Sequence, residues 1–350
     1  MSDSQYIRKW ELIIAPSTYD VYEGSSGFLS TYTKISKETM EAFQNRGKVV
    51  NRDVDGIVFT DPLKVEFRIT KKALADPNMA EITLWNLSPE LESKLLMEGA
   101  ELTLEAGYED GNYGVIYKGA IIQPLRGKIN GTDYYTKFIC LSEDHFWNLG
   151  FIDGVVAVNT KRKQLIEQIL RSSYTETGLQ VEDLDDINTN VVDGSSTALE
   201  RPKILFGNPR EFIRNAAKMS NLSPYIEDDK LKFLSMNEDL PKTLHSVNLN
   251  TGMIGSPIQS NEYVIVKTLL NSAIKLGDYI HIDNSKVVLQ QMTNISDVPY
   301  LLDYDGVYKV IGIEYSGDSR GNEWYTTLTV ISKNGKLAAP LTNGKGELIV

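Results

Sequence analysis

The sequence predicts a mainly β fold in which an α+β domain is inserted between two related β-barrels. Three observations predict it. Short alternating runs separated by Gly- and Asn-rich turns occupy both ends of the chain, amphipathic helical windows are confined to the middle, and the two β-rich regions repeat landmarks in the same order. A chain of 350 residues with 41% hydrophobic and 24% charged content buries a substantial core, and its length favours two or three domains.

In chain order, residues 80–86 alternate, with Ile82 and Leu84 on one face and Glu81 and Thr83 on the other, the pattern of a half-buried strand. Ser88, Pro89 and Glu90 then supply an N-cap, a first-turn proline and an early acid for a short helix through Leu91, Leu95 and Leu96, closed by Gly99. Strands follow at 101–108, 115–122 and 133–141, parted by Glu109-Asp110-Gly111-Asn112 and by Asn130-Gly131.

After residue 150 the period changes. Lys161 to Ser172 places Leu165, Ile166, Ile169 and Leu170 on one helical face. A second helix opens with Asn208 as cap, Pro209 next and Glu211 three after the cap, and its stripe is Phe212, Ile213, Ala216 and Met219. Pro224-Tyr225-Ile226 and Leu231-Lys232-Phe233-Leu234 flank Asp228-Asp229-Lys230 as a hairpin. The β pattern returns at 263–266, 279–282, 307–315 and 324–331, with a loop at about 283–305 long enough to be an interaction loop. The expected division is 1–145 for a first barrel with an N-terminal extension, 146–241 for the insert, 242–336 for a second barrel and 337–350 for a tail. Residues 10–55 show no assignable pattern.

The repeat rests on Tyr134 to Ser142 against Trp324 to Ser332, where Tyr135, Thr136 and Ser142 match Tyr325, Thr326 and Ser332. Gly114-Val115 with Tyr117-Lys118 precedes one, and Gly306-Val307 with Tyr308-Lys309 the other, offset by one residue. Gly99 with Leu102 and Leu104 answers to Gly277 with Ile280 and Ile282. Three copies of such a duplicated chain would present six similar positions around one axis.

Chemistry-bearing motifs are lacking. His145, His245 and His281 are far apart, so no zinc spacing exists, and Glu143-Asp144-His145 reads as a solvated loop. Glu182-Asp183-Leu184-Asp185-Asp186 lacks the glycine and terminal glutamate of a calcium loop, and Gly24-Ser25-Ser26-Gly27 lacks the Lys of a phosphate loop. The lone Cys140 ends an alternating run and reads as a core residue. No catalytic, cofactor-binding or metal site is assigned, and the chain is expected not to be an enzyme. Neither a signal peptide nor a membrane-spanning stretch is read, which points to synthesis in a cytoplasm. A net charge of −11 argues against a surface that grips nucleic acid.

Within 251–335, Gly252-Met253-Ile254-Gly255-Ser256-Pro257, Thr268-Leu269-Leu270-Asn271, Lys275-Leu276-Gly277-Asp278, Gly306 to Val310, Gly317-Asp318 and Glu323 to Thr326 form an ordered set. Together they resemble the baseplate hub proteins of contractile-tailed phages and related contractile injection particles, the late control protein D-like family. Glu81 to Ser88, Glu105 to Tyr108 and Tyr117 to Ile121 look like the first barrel of that family, so the resemblance covers roughly 55–335.

The resemblance implies tube-protein-like barrels and a homotrimeric, pseudo-sixfold ring that joins a hexameric tail tube to a threefold spike around a central channel. The partners it implies are the tube protein, other baseplate proteins and, since the chain ends soon after the second barrel, a separate spike protein. DNA is expected to pass the lumen without specific binding, and the location to be the tail baseplate of a virion assembled in the host cytoplasm. The alternative is a carbohydrate-binding or adhesion protein that uses Trp10, Trp85, Trp147 and Trp324 as sugar-stacking faces, and behind it a cell-wall hydrolase.

Overall fold

The computed structural model describes residues 7–15, 56–95, 100–129, 131–142, 145–172, 180–181, 198–218, 222–227, 230–235, 243–259, 263–283, 288–289 and 306–332. The first region comprises β1 (Arg8–Ala15), β2 (Ile57–Thr60), β3 (Val65–Lys72), β4 (Met79–Trp85), helix α1 (Pro89–Leu95), β5 (Glu101–Tyr108), β6 (Tyr113–Ile129) and β7 (Asp133–Leu141). The insert holds β8 (Ile152–Val156), α2 (Arg162–Ser172), β9 (Gln180–Val181), β10 (Lys203–Gly207), α3 (Pro209–Lys218), β11 (Leu222–Glu227) and β12 (Lys230–Ser235). The last region contains β13 (Leu244–Ser246), β14 (Ile258–Gln259), β15 (Val264–Leu269), β16 (Tyr279–His281), β17 (Val288–Leu289), β18 (Val307–Asp318) and β19 (Trp324–Ser332).

Alternation drives the strands as expected. β4 buries Ala80, Ile82 and Leu84, and β19 buries every second residue from Trp324 to Ser332. Two elements exceed the expectation. β6 runs on to Ile129 through Pro124 and Gly127, because β7 supplies a partner for the whole of that stretch. β1 lies partly in the region that showed no pattern, and it buries Trp10, Leu12 and Ile14 while pairing with β5 along its whole length.

The helices start where their caps place them. The Leu91 amide donates to Ser88 Oγ at 3.4 Å and the Arg210 amide to Asn208 Oδ1 at 2.8 Å. Ile213, Ala216 and Ala217 are buried on α3 and Phe212 packs partly, while Met219 lies outside the described residues.

The two barrel-like regions share one strand order. In the first the sequence is β4-β7-β6-β5-β1, and in the second β15-β19-β18-β16-β13. Both carry a bulge at the same place. β6 skips Ile122 between the pairs Ile121↔Cys140 and Gln123↔Ile139, and β18 skips Ile311 between Val310↔Val330 and Gly312↔Thr329. One strand differs in direction, since β1 runs antiparallel to β5 and β13 parallel to β16.

One expectation is corrected. Leu102 faces Gly119 as Ile280 faces Tyr308, so Gly119 and Ala120, and not Tyr117 and Lys118, stand where Tyr308 and Lys309 stand. The slip is two residues, which keeps both tyrosines on the buried face and makes the motif look in register. Among the described residues neither region's ladder is seen to close on itself, and the strands of both regions join in one continuous fourteen-stranded sheet.

Two cores result. The larger spans both sheet regions, from Trp10 to Val330, and the smaller lies within the insert around Trp147, Ile166, Ile213 and Phe233. The hairpin β11–β12 divides them. Leu222, Ile226, Leu231 and Phe233 face the insert core, whereas Tyr225 and Leu234 join the sheet core.

Candidate functional site

The sheet regions meet at a seam. Residues Gly312 to Asp318 of β18 pair antiparallel with Lys72 to Glu66 of β3, two segments some 240 positions apart in the chain. Trp324, 1% exposed, sits beside the seam with its ring edge-on to Phe67 at 5.2 Å, and its Nε1 donates to Gly107 O at 3.1 Å. Arg8 lies over the same ring at 5.5 Å and donates to the carbonyls of Asp318 and Gly321 at 2.7 and 2.6 Å. Gly317 has to lack a side chain, because a Cβ there would fall 2.2 Å from the Phe67 ring.

Lys64 straddles the same joint, ion-paired to Glu66 and to Asp318. Burial would lower its pKa, but the two carboxylates outweigh that and hold it above the ordinary lysine value.

The insert is tied to both regions. Asn78 donates to Ile226 O at 3.2 Å, Tyr225 to Leu276 O at 3.1 Å, and the buried Lys309 to Ser235 O at 2.9 Å. Glu227 is buried between Lys71 and Lys232, each 3.7 Å away. Buried polar contacts of this kind, made across a joint, favour one orientation of the insert against the sheet regions.

The equivalence of the two regions exposes a gap. On the side away from β19, β18 is covered first by β16 and then, past the bulge, by β3. On the side away from β7, β6 is covered first by β5 up to Ala120, and past its bulge Gln123 to Ile129 face no strand among the described residues. The bare edge of β6 therefore occupies the position that on β18 is filled by the other region of the chain. Leu125, Ile129 and Tyr134 are exposed on this arm.

A family model described as "Baseplate hub gp41" matches residues 47–330, most of the chain and all of both sheet regions apart from β1 and the end of β19. The chain belongs to the baseplate hub gp41 family. It is a structural phage-tail component by that membership, and the family places it in the tail of a virion.

Among solved structures the hub is similar in fold to the Francisella PdpA-VgrG complex in its lidded state, with a TM-score of 0.53 at 6% identity, over 97% of this chain and 55% of that one. It is also similar to the tail protein from Neisseria meningitidis MC58, with a TM-score of 0.49 at 11% identity, over 77% and 94% of the two chains. The E. coli c3393 protein, a type VI secretion component with structural similarity to the T4 tail proteins gp27 and gp5, matches with a TM-score of 0.48 at 14% identity, over 79% and 77%. No curated protein matches the chain.

The hub's sequence candidates for chemistry do not converge. Glu143, Asp144, Glu182 to Asp186 and Gly24 to Gly27 lie outside the described residues, as does the side chain of His145. His245 Nε2 lies 3.1 Å from Asp278 Oδ2, which also accepts the Lys275 amide, so the aspartate closes the turn before β16. Cys140 is buried and its thiol pKa is pushed far up by desolvation, which leaves it unreactive. Among the described residues no three His, Cys, Asp or Glu gather as a metal site, and no helix is long and apolar enough to cross a membrane.

Three of the four tryptophans are core residues, Trp10 at 3%, Trp147 at 0% and Trp324 at 1% exposure, while Trp85 is half-buried between Tyr135 and Lys64. They offer no shared platform for sugar stacking. Arg8 and the bare β6 edge carry no signal in the sequence analysis, and Gly317 enters it only as a landmark of the family resemblance. The alternation of Trp10, Leu12 and Ile14 was the one local signal available for this joint.

Proposed function

We propose that three copies of this hub close a pseudo-sixfold ring around a central channel, joining a hexameric tail tube to a threefold spike. One observation carries the reading. The seam joins β18 of one region to β3 of the other, while the equivalent edge of β6, Gln123 to Ile129, has no strand against it among the described residues. An uncovered strand edge recruits another strand. If the next copy covers β6 as β3 covers β18, the contact within a chain and the contact between chains become alike, and three chains make six similar joints.

On this reading residues 1–145 and 242–336 form the ring wall, 146–241 brace it, and assembly takes place in the host cytoplasm with tube, spike and other baseplate proteins. DNA that passes the lumen is expected to meet a wall without a band of Lys and Arg, consistent with a net charge of −11. The protein acts by assembly and not by catalysis.

Threefold averaging of images of the assembled particle tests the ring. Three copies at the junction of tube and spike are expected, and a sixfold or strictly monomeric placement would refute it. Purified hub is expected to leave peptidoglycan and polysaccharide intact, and lysis abolished by one carboxylate substitution would restore the hydrolase alternative.

A further inference from the structure

We infer that the strand which covers the β6 arm is β14 of the next copy, with Leu125 meeting that copy's Ile258. The inference rests on the ring reading and names the segment that makes its joint. β3 of the next copy is not available, because both of its edges are taken, one by β4 and the other by β18. The repeat supplies the candidate. β4 answers to β15, since each pairs antiparallel with the strand that carries the repeated Tyr135 or Tyr325. β14 then lies along β15 as β3 lies along β4, in the same antiparallel sense, and the Met253↔Thr268 bridge carries that alignment further along β15.

The ladders fix the equivalence residue by residue. Leu125 faces Lys137 and Glu314 faces Thr327, each two residues past the repeated tyrosine, so Leu125 stands where Glu314 stands. Ile258 reaches Thr329 through Ile265, and Arg68 reaches Ile139 through Glu81, each four past the tyrosine, so Ile258 stands where Arg68 stands. In the seam Arg68 and Glu314 are diagonal neighbours across the ladder, and their side chains meet at 3.5 Å. At the equivalent positions the chain carries Leu125 and Ile258, 36% and 43% exposed. The ion pair of the joint within the chain is thus replaced by two apolar side chains, and each is left in water because its diagonal partner belongs to another molecule.

On β14 the edge away from β15 holds β17 by two parallel pairs, Ile258↔Val288 and Gln259↔Leu289. The equivalent edge of β3 holds β18 by seven antiparallel pairs. Parallel pairing is the weaker kind per residue and is short here, so β17 is the strand that gives way to the β6 arm. The joint is heterologous, arm to β14, and repeated contacts of that kind close a ring, whereas arm to arm would make a two-fold dimer.

The test uses the full chain in assembled particles. Its one native cysteine, Cys140, is buried, so a short bismaleimide reports on introduced cysteines. Leu125→Cys on one copy, co-expressed with Ile258→Cys on another, is expected to give an adduct of two chains and none larger. The doubly substituted chain should give a closed adduct of three. Neither single variant alone should give any, and nor should Val155→Cys, also exposed, with Ile258→Cys. A charge transplant checks the contact without cross-linking. Leu125→Glu is expected to lower particle yield about tenfold by setting an unpaired charge against Ile258. Adding Ile258→Arg, which copies Arg68 with Glu314, should restore the yield to within about twofold. The isolated charge variants should melt with the wild type, so that a loss of fold is not read as a lost joint. A self-adduct of Leu125→Cys, an adduct closed within one chain, no adduct, or a double charge variant no better than the single would each overturn the inference. Threefold averaging of the same particles reports on the ring alone. A threefold ring without the adduct sinks the β14 assignment and leaves the ring standing, whereas a sixfold or monomeric placement sinks both.

Discussion

The two sheet regions have the same strand order and the same bulge, yet among the described residues β18 is covered beyond its bulge and β6 is bare beyond its own. The duplicated pattern thus produced equivalent edges with unequal fates. On β18 the partner strand comes from the same chain at high effective concentration, and Trp324, Arg8 and Gly317 have become specialised to hold it. On β6 no such set is present among the described residues, and Leu125, Ile129 and Tyr134 remain exposed. Internal repetition thus specifies equivalent strand edges, and the surrounding side chains decide which of them is covered within the molecule.

The comparison is broken most severely at the covered edge. Trp324→Ala removes a fully buried ring packed on Phe67 and is expected to cost ~3–5 kcal/mol, read as a lowered denaturation midpoint. Tyr134→Ala on the bare arm should shift the same midpoint by no more than about 0.5 kcal/mol. Equal losses would mean that the two edges are not as different as their packing indicates.

Glu227→Leu asks whether the brace holds the seam. The substitution removes the carboxylate that the buried Lys71 and the half-buried Lys232 share, at a cost of about 2 kcal/mol. Adding Lys71→Met should recover part of that loss, and a purely additive double variant would argue against coupling.

Hydrogen exchange sharpens the contrast without mutation. In the isolated chain, amides of Gln123 to Ile129 that point away from β7 should exchange at least about tenfold faster than those of Gly312 to Asp318 that point to β3. On assembly the first set should become protected and the second should not change.

A small effect belongs to Lys64, which spans the seam but is partly exposed. Lys64→Met should cost less than ~1 kcal/mol at neutral pH. Because the folded-state pKa lies above the unfolded one, this contribution is complete below the ordinary lysine value and is lost as pH rises through the raised one. The variant and the wild type should therefore converge only in strongly alkaline solution, and convergence near neutrality would remove Lys64 from the joint.

What the sequence determined by itself was local. Period-two alternation located β4, β5, β7 and β19, and cap residues Ser88 and Asn208 located α1 and α3, because these signals lie within a few residues of what they specify. Leu102 and Leu104 were correctly matched to Ile280 and Ile282, whereas the Tyr-Lys pair was matched two residues out of register, since a slip of two preserves every face.

The tertiary structure alone decided that Gly312 to Asp318 lies on β3, that Trp324 serves both regions, and that no described strand covers Gln123 to Ile129 on the side away from β7. Strand pairing between distant segments is chosen by the burial and hydrogen bonding of the whole sheet. Alternation states which face of a strand is buried and says nothing of which strand lies at its edge.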